Sequence, residues 1–214
     1  MPIVYQQDIN LNSHFAIWKI HETEAFFLQE VQAQREIKHP KKRLQHLAGR
    51  YLLQQIMPQW PVRDLQILPN RRPVLQGIQG DFSISHCGDW VTVLASQTER
   101  CGVDVEAVTN RIDSIAHKFL ATHEAALMLD IFPDWELPER LTLVWSIKEA
   151  LFKWYGLGEV DFSEELLLQQ VIRKTALSGQ ANCQVIKAKG GAVQVNWMQF
   201  EQHMLAWICM GNPV

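Results

Sequence analysis

Glu149 and Lys153 are the two residues whose types and spacing point most directly to chemistry. They lie in segment 144–156, where apolar residues recur at helical spacing and Gly156 supplies a natural end to the helix. Residues three, four and seven positions apart share one side of a helix, so Ser146, Glu149 and Lys153 form a polar stripe. The stripe presents a carboxylate and an ammonium together. When this helix is considered alone, a solvated Glu–Lys ion pair is the simpler explanation of the spacing.

Asp104 and Glu106 form a second pair of candidate functional residues, upstream of that helix. Segment 101–106 alternates in polarity as a strand does, which puts Val103 and Val105 on one face and the two acids on the other. Neighbouring carboxylates repel each other unless a cation lies between them, and oxygen ligands suit a hard ion such as Mg²⁺. The segment therefore predicts a magnesium site, with an exposed strand edge that carries two acids as the alternative.

Three motifs taken together resemble the Sfp-type 4'-phosphopantetheinyl transferase family. They are Phe-Ser-Ile-Ser-His-Cys-Gly at 82–88, Gly-Val-Asp-Val-Glu at 102–106 and Trp-Ser-Ile-Lys-Glu-Ala-Leu-Phe-Lys at 145–153. The motifs agree with the family in order and spacing, and a chance match of all three is far less probable than of any one. The resemblance covers residues 40–158, whereas the segments before and after match only in general character.

The resemblance implies a reaction. These enzymes transfer the 4'-phosphopantetheine moiety of coenzyme A to a serine of an apo acyl or peptidyl carrier protein and release 3',5'-ADP. By resemblance, Mg²⁺ is held by Asp104, Glu106 and Glu149, and it neutralises the phosphates. Glu149, or a water held by it, is the candidate general base. Lys153 is expected to position the phosphate or assist the leaving group, and Lys148 to add further positive charge.

The resemblance also implies which residues contact coenzyme A, namely Arg43, Arg50, Arg72, Ser85, His86, Lys148 and Lys153. Arg72 precedes a proline, as does the basic residue that contacts the 3'-phosphate in the family's Gly-Lys-Pro segment, and arginine binds phosphate well. Arg71 replaces the glycine of that segment, which makes the backbone less permissive. Cys87 stands where the family often has serine.

Simpler interpretations exist for several of these residues. Arg43 and Arg50 lie on one line of a predicted helix and could form an ordinary solvated basic face. His86 ends a predicted strand and could be a hydrogen-bonded structural histidine. Glu124, which resembles the acid of a family element that also includes Phe119, is a secondary candidate near the metal. An acid in the first turn of a helix is already explained by the helix dipole.

The composition excludes several classes of protein. The net charge of −3 gives no basic footprint, so nucleic acid is not an expected partner. No apolar run approaches about 18 residues and the N-terminus lacks the features of a signal peptide, so we expect a cytoplasmic protein without a membrane partner. The four cysteines show neither CxxC spacing nor the density of a secreted domain, and are expected to be reduced thiols. We expect a monomer.

The expected fold is α+β. By resemblance, it has two similar α/β halves whose antiparallel sheets are related by a pseudo-twofold axis, as in the 4'-phosphopantetheinyl transferase fold. We assign residues 1–106 to the first half and 107–214 to the second, with the active-site cleft between them. Local patterns predict helices at 24–34, from His39 onward, and over much of 109–132. Strands are expected at 15–20, 82–86, 91–95, 166–172, 183–186, 192–197 and 204–210, with turn signals at 178–179 and 189–191.

Two other classes of function remain open. One is a non-catalytic module of the same fold that binds coenzyme A or a carrier protein, and degenerate acids would mark such a protein. The motif acids and Lys153 are all present, which favours an enzyme. The other is a different Mg²⁺-dependent phosphotransferase, but the sequence has no Gly-x-x-x-x-Gly-Lys-Ser/Thr loop, which argues against the P-loop type.

Overall fold

The chain forms a mixed α/β structure with antiparallel sheets. The computed structural model describes residues 3–32, 36–130, 132–188 and 191–213, with the backbone alone at 128–130. These residues belong to two compact units. The first comprises Met1–Cys101 and Cys209–Gly211, and the second comprises Gly102–Ile208 and Asn212–Val214.

The first unit is built on a four-stranded antiparallel sheet and one long helix. Its elements are β1 (Ile3–Asn10), β2 (Ser13–Lys19), α1 (Glu24–Leu28), α2 (Pro40–Ile56), a 3-10 turn (Val62–Asp64), β3 (Gln66–Ile67), β4 (Pro73–Val74), β5 (Asp81–Cys87) and β6 (Trp90–Ser96). The sheet has the order β1, β2, β6, β5, and β3 pairs with β4 in a small separate hairpin. Helix α2 begins with Pro40 in its first turn, where the missing N–H costs nothing, and the His39 ring accepts a hydrogen bond from the Lys42 N–H.

Most of the elements predicted for this unit are confirmed. The strands β2, β5 and β6 and the start of α2 fall where the polarity patterns place them. The predicted helix 24–34 is wrong in length, because α1 ends at Leu28; residues 33 and 34 of that prediction lie outside the described residues. Strand β1 was not predicted. It is an edge strand whose side chains are mostly exposed, so it lacks the buried alternation that reveals a strand in a sequence.

The second unit combines a five-stranded antiparallel sheet with a long helix. Its elements are β7 (Arg100–Ala107, of which the residues from Gly102 onward belong to this unit), a 3-10 helix (Asn110–Lys118), α3 (Thr122–Asp130), α4 (Leu137–Tyr155), β8 (Leu166–Thr175), β9 (Ser178–Val185), β10 (Ala192–Phe200) and β11 (His203–Met210). The sheet order is β7, β11, β10, β9, β8. The predicted strands of this region are confirmed. Helix α4 contacts this sheet, and Trp197 and Trp207 are buried as expected.

Helix α4 has clear start and stop signals. At its N-terminus Glu136 and Glu139 form a capping box, in which each side chain accepts a hydrogen bond from the other's backbone N–H. At its C-terminus Gly156 adopts φ 68°, the left-handed conformation that glycine takes without steric cost, and this confirms the predicted end. The helix therefore has fixed ends on either side of the turns that carry Glu149 and Lys153.

Two details of the second unit differ from the sequence expectation. The predicted turn at 178–179 lies inside β9, because the chain reverses two residues earlier, at 176–177. Gly179 is instead required by packing: an added Cβ would lie 2.6 Å from a ring carbon of Trp197. Of the turn predicted at 189–191, residues 189 and 190 lie outside the described residues. None of the described helices is long and apolar enough to cross a membrane.

Candidate active site

Close contact between β7 and α4 determines the geometry of the candidate site. Gly102 lies so near the helix that an added Cβ would overlap the carbonyl oxygen of Ala150 and lie 2.7 Å from the backbone nitrogen of Trp154. Only glycine allows a strand and a helix to approach this closely. Because side chains alternate along a strand, Asp104 and Glu106 share the face of Gly102 and are directed to the same side of β7 as α4.

Asp104 and Lys153 form the central ion pair of this face. The Lys153 Nζ donates to Asp104 Oδ1 at 2.7 Å and to the carbonyl oxygen of Val103 at 3.0 Å. The Asp104 side chain is almost fully buried, whereas the Lys153 side chain keeps 27% of its surface exposed. Helical spacing alone suggests a solvated ion pair between Glu149 and Lys153. The structure instead pairs Lys153 with Asp104, an acid of β7. The alternative of an exposed edge also fails for Asp104: β7 lies at the sheet edge, but this acid is buried.

Glu106 and Glu149 lie in the electrostatic field of the same aspartate. Burial, followed by repulsion from Asp104, raises the pKa of Glu106 to about 7, against a hydrogen bond from the Trp145 side chain. Burial and the same repulsion raise the pKa of Glu149 to about 7, while Lys153 acts in the opposite direction. Three carboxyl groups thus share one partly buried region with a single partnered ammonium, and the acids are held against their mutual repulsion.

The chemistry of this donor set fits a hard divalent cation. All three candidate ligands are carboxylates, and a cation would offset the burial and the repulsion that raise the pKa values of the two glutamates. Within the described ranges, however, no group of three or more His, Cys, Asp or Glu side chains already has its atoms in position to hold a metal ion. The Lys153 ammonium binds Asp104 Oδ1 and provides positive charge on this face. The residues fit Mg²⁺ in type, and binding would require their carboxylate oxygens to move closer together.

The comparison with known families concerns this part of the chain. Residues 100–203 match the family model of the 4'-phosphopantetheinyl transferase superfamily. The matched segment contains Asp104, Glu106, Glu149 and Lys153, and the match supports phosphopantetheine transfer in general. No curated protein matches the chain.

Lys148 requires a correction within the matched segment. Its side chain is completely buried, and Nζ donates to Phe119 O at 2.6 Å, Glu124 Oε2 at 2.6 Å and Phe162 O at 2.8 Å. An ammonium has three N–H donors, so all of them are engaged inside the unit. Burial lowers the pKa of Lys148, and Glu124 opposes this effect. The predicted contact with coenzyme A phosphates is incompatible with this location.

Glu124 is the buried partner of that lysine and has no place among the metal candidates. Besides Lys148, its carboxylate accepts hydrogen bonds from the backbone N–H groups of Leu168 at 2.6 Å and Ala121 at 2.8 Å. The pair thus fixes α4 to the loop before α3 and to the first residues of β8. The Lys148–Glu124 pair contributes to the site indirectly, because it holds in place the turn of α4 that also carries Glu149.

The predicted coenzyme A contacts of the first unit lie on its loops, helix α2 and strand β5. Arg72 Nη2 donates to both oxygens of Asp81, at 2.7 and 2.6 Å. Arg71 adopts φ 67°, so the loop has the left-handed conformation that the family's glycine would permit, although arginine takes it less readily. Arg100 also lies near Asp81, at 3.7 Å. This corner therefore has two guanidinium groups around one carboxylate and a net positive charge.

The remaining predicted contacts differ in exposure. Arg43 is half-exposed and donates to Glu24 at 2.7 Å and to Ile37 O at 2.9 Å. Arg50 is buried, and one of its nitrogens donates to the carbonyl oxygen of His46 at 3.1 Å, so the solvated basic face is wrong for this arginine. On β5, Ser85 is buried while His86 is exposed, as expected for consecutive residues of a strand.

Three residues that matter for these sites carried no role in the sequence interpretation. Trp145 bonds to Glu106, Gly102 sets the distance between β7 and α4, and Asp81 holds Arg72. Trp145 and Gly102 lie inside the motifs at 145–153 and 102–106, so their positions in those motifs could have identified them. Asp81 precedes the first motif, and only the folded hairpin brings it to Arg72.

The raised pKa values predict how stability depends on pH in metal-free buffer. The folded protein binds protons at Glu106 and Glu149 more tightly than the unfolded chain, whose glutamates titrate near 4.5. The contribution of these two residues to the free energy of unfolding is therefore fully present below pH 4.5 and is lost as pH rises through about 7. Denaturant titrations across this range should show that the free energy of unfolding declines less with pH for Glu149→Gln than for the parent. The exposed control Glu164→Gln should show the same decline as the parent. An identical decline in all three proteins would contradict the raised pKa of Glu149.

The buried pair predicts a large stability effect at Lys148. Lys148→Met removes the ammonium and leaves the Glu124 carboxylate buried without its counter-charge, which should lower the free energy of unfolding by about 3–5 kcal/mol. Lys118→Met, a matched change at an exposed lysine, should cost less than about 0.5 kcal/mol. Both are measured by urea denaturation. Equal, small losses for the two variants would show that the pair does not stabilise the unit.

Proposed function

We propose that this protein is a Mg²⁺-dependent 4'-phosphopantetheinyl transferase that acts on an apo acyl or peptidyl carrier protein and uses coenzyme A as donor. The observation that carries the proposal is the grouping of Asp104, Glu106, Glu149 and Lys153 inside the segment that matches the superfamily. A match to the family without these groups would favour a non-catalytic binding module. The complete set favours an enzyme.

The three carboxylates are proposed to hold the cation and, through it, the pyrophosphate of coenzyme A. Asp104 and Glu106 come from alternate positions of β7, on the face toward α4, and Glu149 comes from α4, so the ligands belong to two regular elements. Such elements hold their side chains more rigidly than loops do. When bound, Mg²⁺ would neutralise phosphate charge and so lower the barrier to phosphoryl transfer.

Glu149 is proposed as the general base and Lys153 as the phosphate-positioning residue. A general base must be ionised to accept a proton, and a cation bound at the carboxylates would keep Glu149 ionised although its pKa without metal is raised to about 7. Glu149 would accept the proton of the carrier serine as its oxygen attacks the β-phosphorus. Lys153, released from Asp104, would donate to phosphate oxygens and stabilise the charge that moves to 3',5'-ADP as the bond breaks.

The first-unit residues are proposed to bind the nucleotide end of coenzyme A. Arg72 is assigned to the 3'-phosphate, because a guanidinium already oriented by Asp81 is well suited to a second anion. Arg43, Arg50, Ser85 and His86 remain proposed contacts, and Lys148 is not among them. The pseudo-twofold relation of the halves, the boundary after residue 106, the cleft and the monomeric state remain predictions, as does the cytoplasmic location.

A direct assay tests the function. The protein is incubated with coenzyme A, Mg²⁺ and a panel of apo acyl and peptidyl carrier proteins, and the carriers are examined by intact mass for added phosphopantetheine. Carriers with the acceptor serine changed to alanine serve as controls. Modification of at least one carrier, dependent on Mg²⁺ and on its serine, is the expected result. Coenzyme A binding without modification of any carrier would favour the non-catalytic module instead.

Glu149→Gln tests the assigned base. Glutamine keeps the shape and the helix propensity of the residue but removes the charge, so the transfer rate at saturating Mg²⁺ should fall by at least ~10²-fold. The control Glu164→Gln should keep the parent rate. The melting temperature of each preparation is measured alongside to exclude unfolding. A folded Glu149→Gln protein with a rate within about tenfold of the parent would contradict the catalytic role.

A further inference from the structure

Cys101 and Cys209 lie opposite each other on neighbouring antiparallel strands. Strands β7 and β11 are adjacent in the sheet, and at one end of the pair the Val108 N–H donates to Gln202 O at 2.9 Å. If this register continues seven residues back from Val108 and seven residues forward from Gln202, Cys101 lies opposite Cys209. Each thiol also shifts the pKa of the other, as expected for a hydrogen bond from Cys101 to Cys209 across this pair.

The position within the ladder favours a bond between the sulfurs. Residue pairs of an antiparallel ladder alternate between hydrogen-bonded and non-hydrogen-bonded types, and Val108–Gln202 is of the first type. An odd number of steps separates it from Cys101–Cys209, which is therefore a non-hydrogen-bonded pair. In such pairs the Cα atoms lie about 4.5 Å apart, inside the range of disulfide-linked cysteines.

The surroundings of the two sulfurs differ in a way that assigns each a role. Cys209 is partly exposed, and its sulfur accepts hydrogen bonds from the Cys101 thiol and from the linked hydroxyl pair of Ser13 and Ser96. These bonds lower the pKa of Cys209 to about 7, although burial and Glu99 oppose them. Cys101 is fully buried, which raises the pKa of its thiol. An accessible thiolate beside a protected thiol is the arrangement of redox-sensitive cysteine pairs.

Fixed neighbours keep this arrangement in place. Ser13 donates to the Ser96 oxygen at 2.8 Å, and both residues are completely buried. The same Ser96 oxygen accepts the backbone N–H groups of Thr98 at 3.2 Å and Glu99 at 3.0 Å. The Cys101 S–H, which is shared between two acceptors, also donates to the carbonyl oxygen of Asp81 at 3.4 Å. The hydroxyl groups around Cys209 are therefore held by buried hydrogen bonds and do not depend on mobile surface side chains.

We propose that Cys209 and Cys101 are a redox-active dithiol that a hydroperoxide oxidises reversibly to an intramolecular disulfide. The Cys209 thiolate attacks one peroxide oxygen, the O–O bond breaks, and the products are a sulfenic acid and, after proton uptake, water or an alcohol. The Cys101 thiol then attacks the sulfenic sulfur, which forms the S–S bond and releases water. Two thiols lose two electrons and two protons in total, and the peroxide is reduced by the same two electrons. A dithiol reductant reverses the change.

Peptide mapping of the unaltered protein is the primary test. Treatment of the reduced protein with hydrogen peroxide should remove two of its four thiols, and digestion should yield one peptide pair joined through Cys101 and Cys209. Dithiothreitol should restore all four thiols. A link that involves Cys87 or joins two chains, or oxidation without any link, would overturn the proposal.

Single variants separate the two roles. In Cys101→Ala the reaction should stop at the sulfenic acid of Cys209, which dimedone traps as a stable adduct. In Cys209→Ala the buried Cys101 should keep its thiol under the same treatment. The control Cys87→Ala removes another partly exposed cysteine and should form the link at the parent rate. Equal labelling of Cys87 and Cys209 by dimedone in Cys101→Ala would refute the special reactivity of Cys209.

Discussion

Repulsion among Asp104, Glu106 and Glu149 is the interaction on which the account of this site depends. Three carboxylates in one partly buried region are unfavourable, and the pKa values near 7 at the two glutamates express that cost. The fold accepts it because Gly102 lets β7 and α4 touch and because Lys153 supplies one positive charge. Such stored repulsion is common at functional sites, since a bound cation can relieve it.

Lys148 and Lys153 show how two lysines of one helix can have different roles. Lys148 is fully buried and is bound by Glu124 and two carbonyl oxygens, so its charge stabilises the packing of α4. Lys153 lies further along the same helix, is partly exposed and binds Asp104, a candidate metal ligand. The first cannot reach a substrate without breaking a buried ion pair, which is costly. In the proposed function the second exchanges Asp104 for a phosphate, because a cation at the carboxylates would take over the charge of the lysine.

Much of the fold follows from local signals in the sequence. His39 and Pro40 mark the start of α2, Gly156 marks the end of α4, and alternating runs mark most strands. The exceptions have physical causes. Strand β1 is exposed and has no hydrophobic pattern to detect, and Gly179 is a packing requirement of Trp197 where a turn was expected. Arg71 adopts a left-handed conformation for which its residue type gives no warning.

The candidate site was predictable in its residue types but not in its partners. Motif spacing identified Asp104, Glu106, Glu149 and Lys153, whereas the bond from Lys153 to Asp104 depends on how closely a strand and a helix pack. The burial of Lys148 could not be predicted either, because the helical pattern does not show which polar residue of α4 contacts the α3 region. Partnerships between residues far apart in sequence are set by tertiary packing.

Titration of Mn²⁺, a paramagnetic substitute for Mg²⁺, tests the central claim most directly. In the presence of coenzyme A and above pH 7, where Glu106 and Glu149 are ionised, loss of the free-ion electron paramagnetic resonance signal should reveal one saturable site per chain. Glu149→Gln should weaken that site by at least ~10-fold, since even outer-shell partners contribute that much to metal affinity, while Glu164→Gln should leave it unchanged. Absence of a saturable site, or equal affinity in the parent and Glu149→Gln, would contradict the assignment of these acids as a metal centre.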